Sequence, residues 1–237
     1  MSDKKIYQFY SELEDFKPKI WRRFQVSDDI TVAEFGYIVM TMYEMMASHL
    51  LAIEHERPFF TPSGRLSKRM ELLCRYDIPN DFKDPFEDLK SWNSEDATKT
   101  KLSTLEIETP SRLLVWYDFG DDWRVILKLE KVFEVEELPN VELPRVLEGK
   151  GYGIVEDCGG IWGLYDLAQA FKEKEGETYE ELSEWLGVED FDITAFDIND
   201  MNFRLTKIPQ IYKKIYEDKI SPTKKSIELI ERKYLKK

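Results

Sequence analysis

The chain has 237 residues, 42% hydrophobic and 14% aromatic, enough apolar material for a sizeable core, and a formal net charge of −13. No apolar run approaches the roughly 20 residues of a membrane-spanning helix, and Met1-Ser2-Asp3-Lys4-Lys5 leads into alternating residues rather than a signal-peptide block. Cys74 and Cys158 lie outside any Cys-x-x-Cys pattern, which excludes a disulfide framework and a cysteine-rich zinc site, so a reduced, cytoplasmic protein without a membrane partner is expected.

Ile6, Phe9 and Leu13 mark a first strand. After Lys17-Pro18, Ile20, Arg22, Phe24 and Val26 alternate with Trp21, Arg23 and Gln25, which predicts an antiparallel hairpin. Thr31-x-x-Glu34 is a capping-box pattern, and Val32, Phe35, Ile38, Val39, Met42, Met45 and Met46 then recur at helical spacing on one face. A short strand over His49 to Glu54 follows. Prolines and charges make residues 57–98 read as an irregular insertion with one helix near Ser67 to Arg75.

A short helix is expected at Lys101 to Ile107. Leu113, Val115 and Tyr117 alternate into a Gly120-Asp121-Asp122 turn, and Trp123, Val125, Leu127 and Leu129 share a strand face beyond it, which predicts a second hairpin. Residues 134–153 read as a loop rich in Glu, Pro and Gly. Leu164, Leu167, Ala168 and Phe171 predict a helix; a second holds Tyr179, Leu182, Trp185 and Leu186, opened by Thr178-x-x-Glu181 and closed by Gly187; a third passes Asn202 and Leu205. Strands and helices mix without a regular βαβ rhythm, so the fold class is α+β, a mainly antiparallel sheet with helices packed against it around a single core.

Residues 206–237 hold ten Lys or Arg and four Asp or Glu, while residues 1–205 are net −19. The chain therefore divides into an α+β domain over 1–205 and a basic helical C-terminal extension over 206–237. An acidic body repels nucleic acid, which leaves the tail as its one candidate contact. The simpler reading of that tail is a solvated helix from Thr223 to Lys236 with Ile227, Ile230 and Tyr234 packed on the body.

Two stretches join carboxylates to glycine, and they supply the candidate site: Asp118, Asp121, Asp122 and Trp123 at the hairpin turn, and Glu156, Asp157, Cys158, Gly159 and Gly160 before a helix. If the second folds over the first, oxygens of Asp121, Glu156 and Asp157 are candidate ligands for a divalent cation, or an acid/base pair with separated pKa values. The structural alternative is that Asp and Gly serve turns and helix caps. Gly149-x-Gly151-x-Gly153 lacks a dinucleotide fingerprint and reads as a flexible loop. Cys158 at a helix start invites a low thiol pKa, but its acidic neighbours favour a structural thiol. His49 and His55 on one strand would stand about 20 Å apart, too far to share an ion.

In their order these motifs resemble the plasmid pRiA4b ORF-3-like family, whose members also carry a transposon-passenger, resolvase-like label. The matching residues are Trp21-Arg22-Arg23, Ser48-His49-Leu50, Tyr117-Asp118-Phe119-Gly120-Asp121-x-Trp123, Glu156-Asp157-Cys158-Gly159-Gly160, Phe191-Asp192 and Asn202, spanning about residues 5–205. The resemblance implies one α+β domain found on chromosomes, plasmids and mobile elements, and carries over no established biochemical activity. Leu51 stands where members often have a second His, Arg124 follows the hairpin Trp, and Ile154-Val155 replace the usual prolines. Several-histidine metal sites are therefore disfavoured.

Two functions are expected from these readings. The first is a non-enzymatic module that binds a protein or small ligand through an acidic rim with Trp21, Trp116, Trp123 and Trp162, and with no required cofactor. The second is a metal-assisted hydrolase using the clustered carboxylates. DNA recombination ranks third, because no serine nucleophile accompanied by arginines is evident.

Overall fold

A computed structural model describes residues 4–60, 66–80 and 93–231. β1 (Lys5–Leu13) and β2 (Trp21–Ser27) pair antiparallel as the alternation predicts. The interval of three between Ile6 and Phe9 breaks a two-residue period. The pairing with β2 runs unbroken through both, so Phe9 joins the core cluster while Ile6 is buried on the opposite face; the register shift lies on the β7 (Trp123–Glu134) side, where Lys131 and Leu129 face Gln8 and Phe9. β6 (Arg112–Tyr117) pairs antiparallel with β7, forming the second hairpin.

Among the described residues, eight strands form one sheet in the order β5 (Ser94–Asp96), β4 (Leu66–Asp77), β3 (Leu51–Phe60), β6, β7, β1, β2, β8 (Arg145–Lys150), antiparallel except for the β4–β5 pair. The class is α+β. α1 (Val32–Met42) starts at the expected box: Thr31 Oγ1 accepts from the Glu34 N–H at 3.1 Å, and Glu34 accepts from the Thr31 N–H at 3.0 Å. The expected one-sided stripe is corrected. Every residue of α1 except Glu34 is buried, because β3 and β4 cover one side while α4 (Ile198–Leu205) and α5 (Ile208–Tyr216) cover another. The helix ends at Met42, and Met45 and Met46 lie in the turn beyond it.

The segment expected to be irregular departs most from expectation. β3 runs over Leu51–Phe60, and Ser67 to Arg75 lies inside β4 (Leu66–Asp77) rather than in a helix. Cys74, Tyr76 and Ile78 are buried at two-residue intervals, so pairing with β3 overrides the local helical spacing. Pro58 falls next to a register shift, where a missing N–H interrupts no regular ladder. β5 (Ser94–Asp96) adds to β4. Residues 134–153 likewise contain a strand, β8 (Arg145–Lys150), with Val146 facing inward along β2.

Only Leu102–Thr104 are helical, as a 3-10 turn, in the segment expected to hold a short helix. α2 (Gly160–Glu173) follows the second acidic motif, and α3 (Glu177–Leu186) starts one residue before Thr178, which makes no cap. α4 is capped by Asp197, whose carboxylate accepts from the Asn199 and Asp200 N–H groups. In the tail, α5 buries Ile208 and Tyr212 and packs on α1. α6 (Lys224–Ile230) buries Ile230 and leaves Ile227 exposed; the helix stops short of Lys236, and Tyr234 lies outside the described residues.

Phe9, Phe24 and Phe35 meet at ring separations of 5.0 to 6.1 Å in the core. Each fully buried side chain of this size contributes about 1.5–3 kcal/mol. Arg22, on the same strand face as Phe24, is buried too. Its guanidinium donates to the carbonyls of Trp21, Lys150, Gly151 and Tyr152, each at 2.8 Å, and lies 4.1 Å from the Phe196 ring. That clamp fixes the segment expected to be a flexible loop.

Candidate functional site

The clamp at Arg22 sets where the second acidic motif goes. Beyond Tyr152, the Ile154 N–H donates to the Tyr43 carbonyl at 3.0 Å, so residues 152–156 run against the turn that follows α1. Glu156 is thereby driven into the interior, 4% exposed, and its carboxylate collects three donors. Oε1 accepts from the Met46 N–H at 2.6 Å and the Tyr117 hydroxyl at 2.7 Å, and Oε2 accepts from the Ser48 hydroxyl at 3.2 Å. Burial nevertheless outweighs these donors and nearby His49, and raises the Glu156 pKa above the ordinary 4.5. Burial and then Glu156 also raise Tyr117, which keeps its proton and remains a donor.

The register of the sheet places the first motif beside the same turn. Leu51 lies opposite Tyr117, and the Asp118 N–H donates to the Leu50 carbonyl at 3.0 Å, so Asp118 stands next to His49. Three carboxylates surround that imidazole: His49 Nε2 lies 3.4 Å from Glu156 Oε2, 3.5 Å from Asp118 Oδ2 and 3.5 Å from Asp157 Oδ1. The ring meets Tyr117 edge-on at 5.8 Å. From the other side, the Tyr216 hydroxyl donates to the His49 carbonyl at 2.5 Å and Tyr212 donates to the Met45 carbonyl. The basic extension thus braces the turn that carries His49.

Local backbone strain accompanies these placements. Asp118, Asp122 and Asp157 have φ of 50°, 57° and 58°, a left-handed conformation that Asp tolerates better than most residues. Asp118 Oδ1 accepts from the Gly120 N–H at 3.1 Å, fixing the turn and leaving Oδ2 for His49. Gly160 has φ of 68°, and a Cβ there would stand 2.4 Å from the Asp121 carbonyl oxygen. Only glycine lets the two motifs touch this closely.

The nine candidate residues do not all converge. Asp118, Glu156 and Asp157 meet at His49. Asp121 reaches the second motif through its backbone at Gly160, while its Oδ2 is buried without a partner among the described residues. Asp122 turns away and pairs with Arg124 at 2.8 Å, and Trp123 is 1% exposed, a core residue rather than a rim. Gly159 is the N-cap of α2 at φ 90°. Burial, then Asp121, push the Cys158 thiol up to about 12, which suits a structural thiol and no nucleophile. Of the four expected rim tryptophans, Trp162 on the first turn of α2 is freely exposed, at 77%, and Trp21 and Trp116 are half-buried.

His49, Ser48, Tyr117 and Tyr216 are the members that spacing did not single out. A strand running through both His49 and His55 is not what forms: β3 begins at Leu51, and His49 belongs to the turn before it. Asp118, Glu156, Asp157 and His49 are an oxygen-and-nitrogen donor set chemically suited to a divalent cation. Among the described residues, however, no group of three or more His, Cys, Asp or Glu side chains is arranged to hold a metal ion. No described helix is long and apolar enough to cross a membrane.

A family model described as plasmid pRiA4b ORF-3-like protein matches residues 5–200. The chain is 32% identical over 108 residues to an uncharacterized protein, y4hQ, of Sinorhizobium fredii; the match covers 45% of this chain and 54% of that protein, so the chain spans about half the length of this curated relative. The crystal structure of a protein of unknown function, MM3350 from Methanosarcina mazei Go1, is similar at 29% identity with a TM-score of 0.64, over 84% of this chain and 98% of that one.

Proposed function

The chain belongs to the plasmid pRiA4b ORF-3-like family, and from that premise we propose that it is a binding module whose acidic site at His49 takes an organic cation, an ammonium or guanidinium group presented by a protein or small ligand. One observation carries the reading: three carboxylates from two separate turns share a single imidazole. One imidazole supplies at most one positive charge, and it cannot donate to three acceptors at once. Glu156 is held by internal donors, whereas the Asp157 side chain is 74% exposed and Asp118 Oδ2 is bound only at the longer distance to His49. These two carboxylates are the ones free to accept from a ligand, and a planar guanidinium offers the parallel donors that match carboxylates. Leu50 and Phe119, each 38% exposed, supply apolar surface beside them.

The test is a titration of N-acetyl-argininamide and N-acetyl-lysinamide followed by amide chemical shifts. Saturable shifts are expected at residues 48–50, 118–121 and 156–158, and Asp118→Asn with Asp157→Asn should abolish them without unfolding the chain. Shifts scattered elsewhere, or unaffected by the double substitution, would contradict the reading. The donor set gives a second reading, a metal-assisted hydrolase, which requires the carboxylates to close around an ion. It is favoured instead if Mn²⁺ alone saturates at the same residues and raises the melting temperature.

A further inference from the structure

Along β3 from the His49 turn lies the second imidazole of the chain. In the antiparallel register His55 stands opposite Cys74 of β4 on one side and Leu113 of β6 on the other, while Ile53 stands opposite Tyr76 and Val115. Side chains alternate in direction along a strand, so His55 and Cys74 leave the same face of the sheet as Ile53 and Tyr76, the face that lines the core. Both are buried, His55 at 6% and Cys74 at 7% exposure. The pairing shifts register immediately after His55, a bulge of the kind that re-aims a side chain.

The imidazole is left without a partner. Its Nε2 is shut off from water and makes no hydrogen bond among the described residues, a state that buried polar nitrogens rarely keep. Leu113 has no polar side-chain atom to offer it. The Cys74 thiol makes only long contacts, donating to the Arg75 carbonyl at 3.5 Å and accepting from the Asn93 amide at 3.8 Å, with Tyr76 adjoining. Burial, against the weaker pull of exposed Glu106, lowers the His55 pKa, and burial raises that of Cys74. A neutral imidazole, the form that ligates metals, therefore faces a thiol.

Facing side chains on paired strands hold their Cβ atoms about 4.5–5.5 Å apart. A sulfur and a ring nitrogen clasp one ion between them when they stand roughly 4.3 Å apart, which is within reach of such a pair. We propose that Cys74 Sγ and His55 Nε2 form a two-coordinate site for a soft monovalent metal ion, Cu(I). Softness and charge select it. Thiolate and imidazole favour copper over magnesium or calcium, and a thiolate with one monovalent ion is neutral, whereas a divalent ion on two ligands leaves a net charge on an apolar face. Among the described residues no third His, Cys, Asp or Glu is arranged to complete a larger shell. Binding forms an S–Cu and an N–Cu bond and sends the thiol proton to water, with no change of oxidation state. The inference stands apart from the reading at His49, whose ligand is an organic cation held by carboxylates.

The test loads the full chain with Cu(I) under anaerobic conditions, with the chromophoric chelator bicinchoninate as competitor. Uptake of one copper per chain is expected, weakened about a hundredfold or more by Cys74→Ser and by His55→Gln, with circular dichroism to verify that each variant is folded. X-ray absorption at the copper edge of the wild type needs no variant and should show one sulfur and one nitrogen as the nearest neighbours. A roughly tenfold excess of Zn²⁺ should not displace the ion. No uptake overturns the inference, as do two sulfurs at the metal, unchanged affinity in either folded variant, or release by Zn²⁺. Copper kept by Cys74→Ser and lost in Cys158→Ser overturns it as well, and leaves the His49 reading untouched.

Discussion

The solvent-facing side of the sheet and the turn around His49 are both rich in carboxylates, yet they dispose of charge in opposite ways. On the sheet, Arg23 bridges Glu130 and Glu148 at 2.7 Å each, Arg75 joins Glu54 and Asp77, and Arg112 binds Glu56 at 2.8 Å. Cation and anion alternate across neighbouring strands, and the guanidiniums lie over aromatic rings, Arg75 and Arg124 both near Trp116. At His49, three carboxylates face one imidazole and no arginine is among the described contacts. A balanced ladder is explained by folding alone. An unbalanced cluster held by left-handed aspartates and a buried glutamate is what the proposed cation would complete.

Gly160→Val should separate these two regions most sharply. Its Cβ would meet the Asp121 carbonyl oxygen at 2.4 Å in a left-handed backbone, and β-branching adds to the strain. A loss of about 3 kcal/mol or more in denaturant midpoint is expected, with weakened cation binding and an intact ladder. A variant as stable as wild type would show that the two motifs do not touch.

That contact was readable only in part. The hairpin Tyr117 to Trp123, the capping box at Thr31 and the juxtaposition of both acidic motifs follow from alternation, cap chemistry and the clustering of Asp with Gly. β4 and β8 were hidden because pairing, rather than local spacing, makes them strands; Cys74 and Tyr76 at the end of β4, continued by Ile78 just beyond it, were the available signal. His49 was hidden for a different reason. Its partners lie 69 to 108 residues away, and only the register of Leu51 with Tyr117 brings it to Asp118. Tyr212 and Tyr216 carry no local signal of their own within the basic stretch 206–237; the packing of α5 on α1 is what makes them braces.

A smaller effect, and one with a pH signature, belongs to Glu156. Glu156→Ala leaves the Met46 N–H and the Tyr117 hydroxyl without their acceptor and should cost about 2–4 kcal/mol. Glu156→Gln keeps an acceptor and should cost much less. Because burial raises the carboxyl pKa in the folded chain, the folded state binds more protons than the unfolded one above about pH 4.5. The associated stability is present below that value and is lost as pH rises through the folded pKa. The melting temperature of Glu156→Gln relative to wild type should therefore rise between pH 4.5 and 7. A fall would mean that the donors, rather than burial, dominate at Glu156.

The smallest change is expected on the ladder. Arg23→Gln removes two partly exposed ion pairs and should cost no more than about 1 kcal/mol, with the effect shrinking in 1 M salt and cation binding at His49 unaltered. Denaturant melts at two salt concentrations check it. A larger, salt-resistant loss would make the ladder a structural keystone and weaken the contrast.

The most direct measurement is a crystal structure of the chain grown with agmatine, which carries one guanidinium and one ammonium. The account predicts a guanidinium within hydrogen-bond distance, about 2.7–3.2 Å, of the Asp118 and Asp157 carboxylates beside His49, with Glu156 still held by Met46 and Tyr117. Agmatine bound only along the Arg–Glu ladder, or absent from the His49 site at saturating concentration, would contradict it.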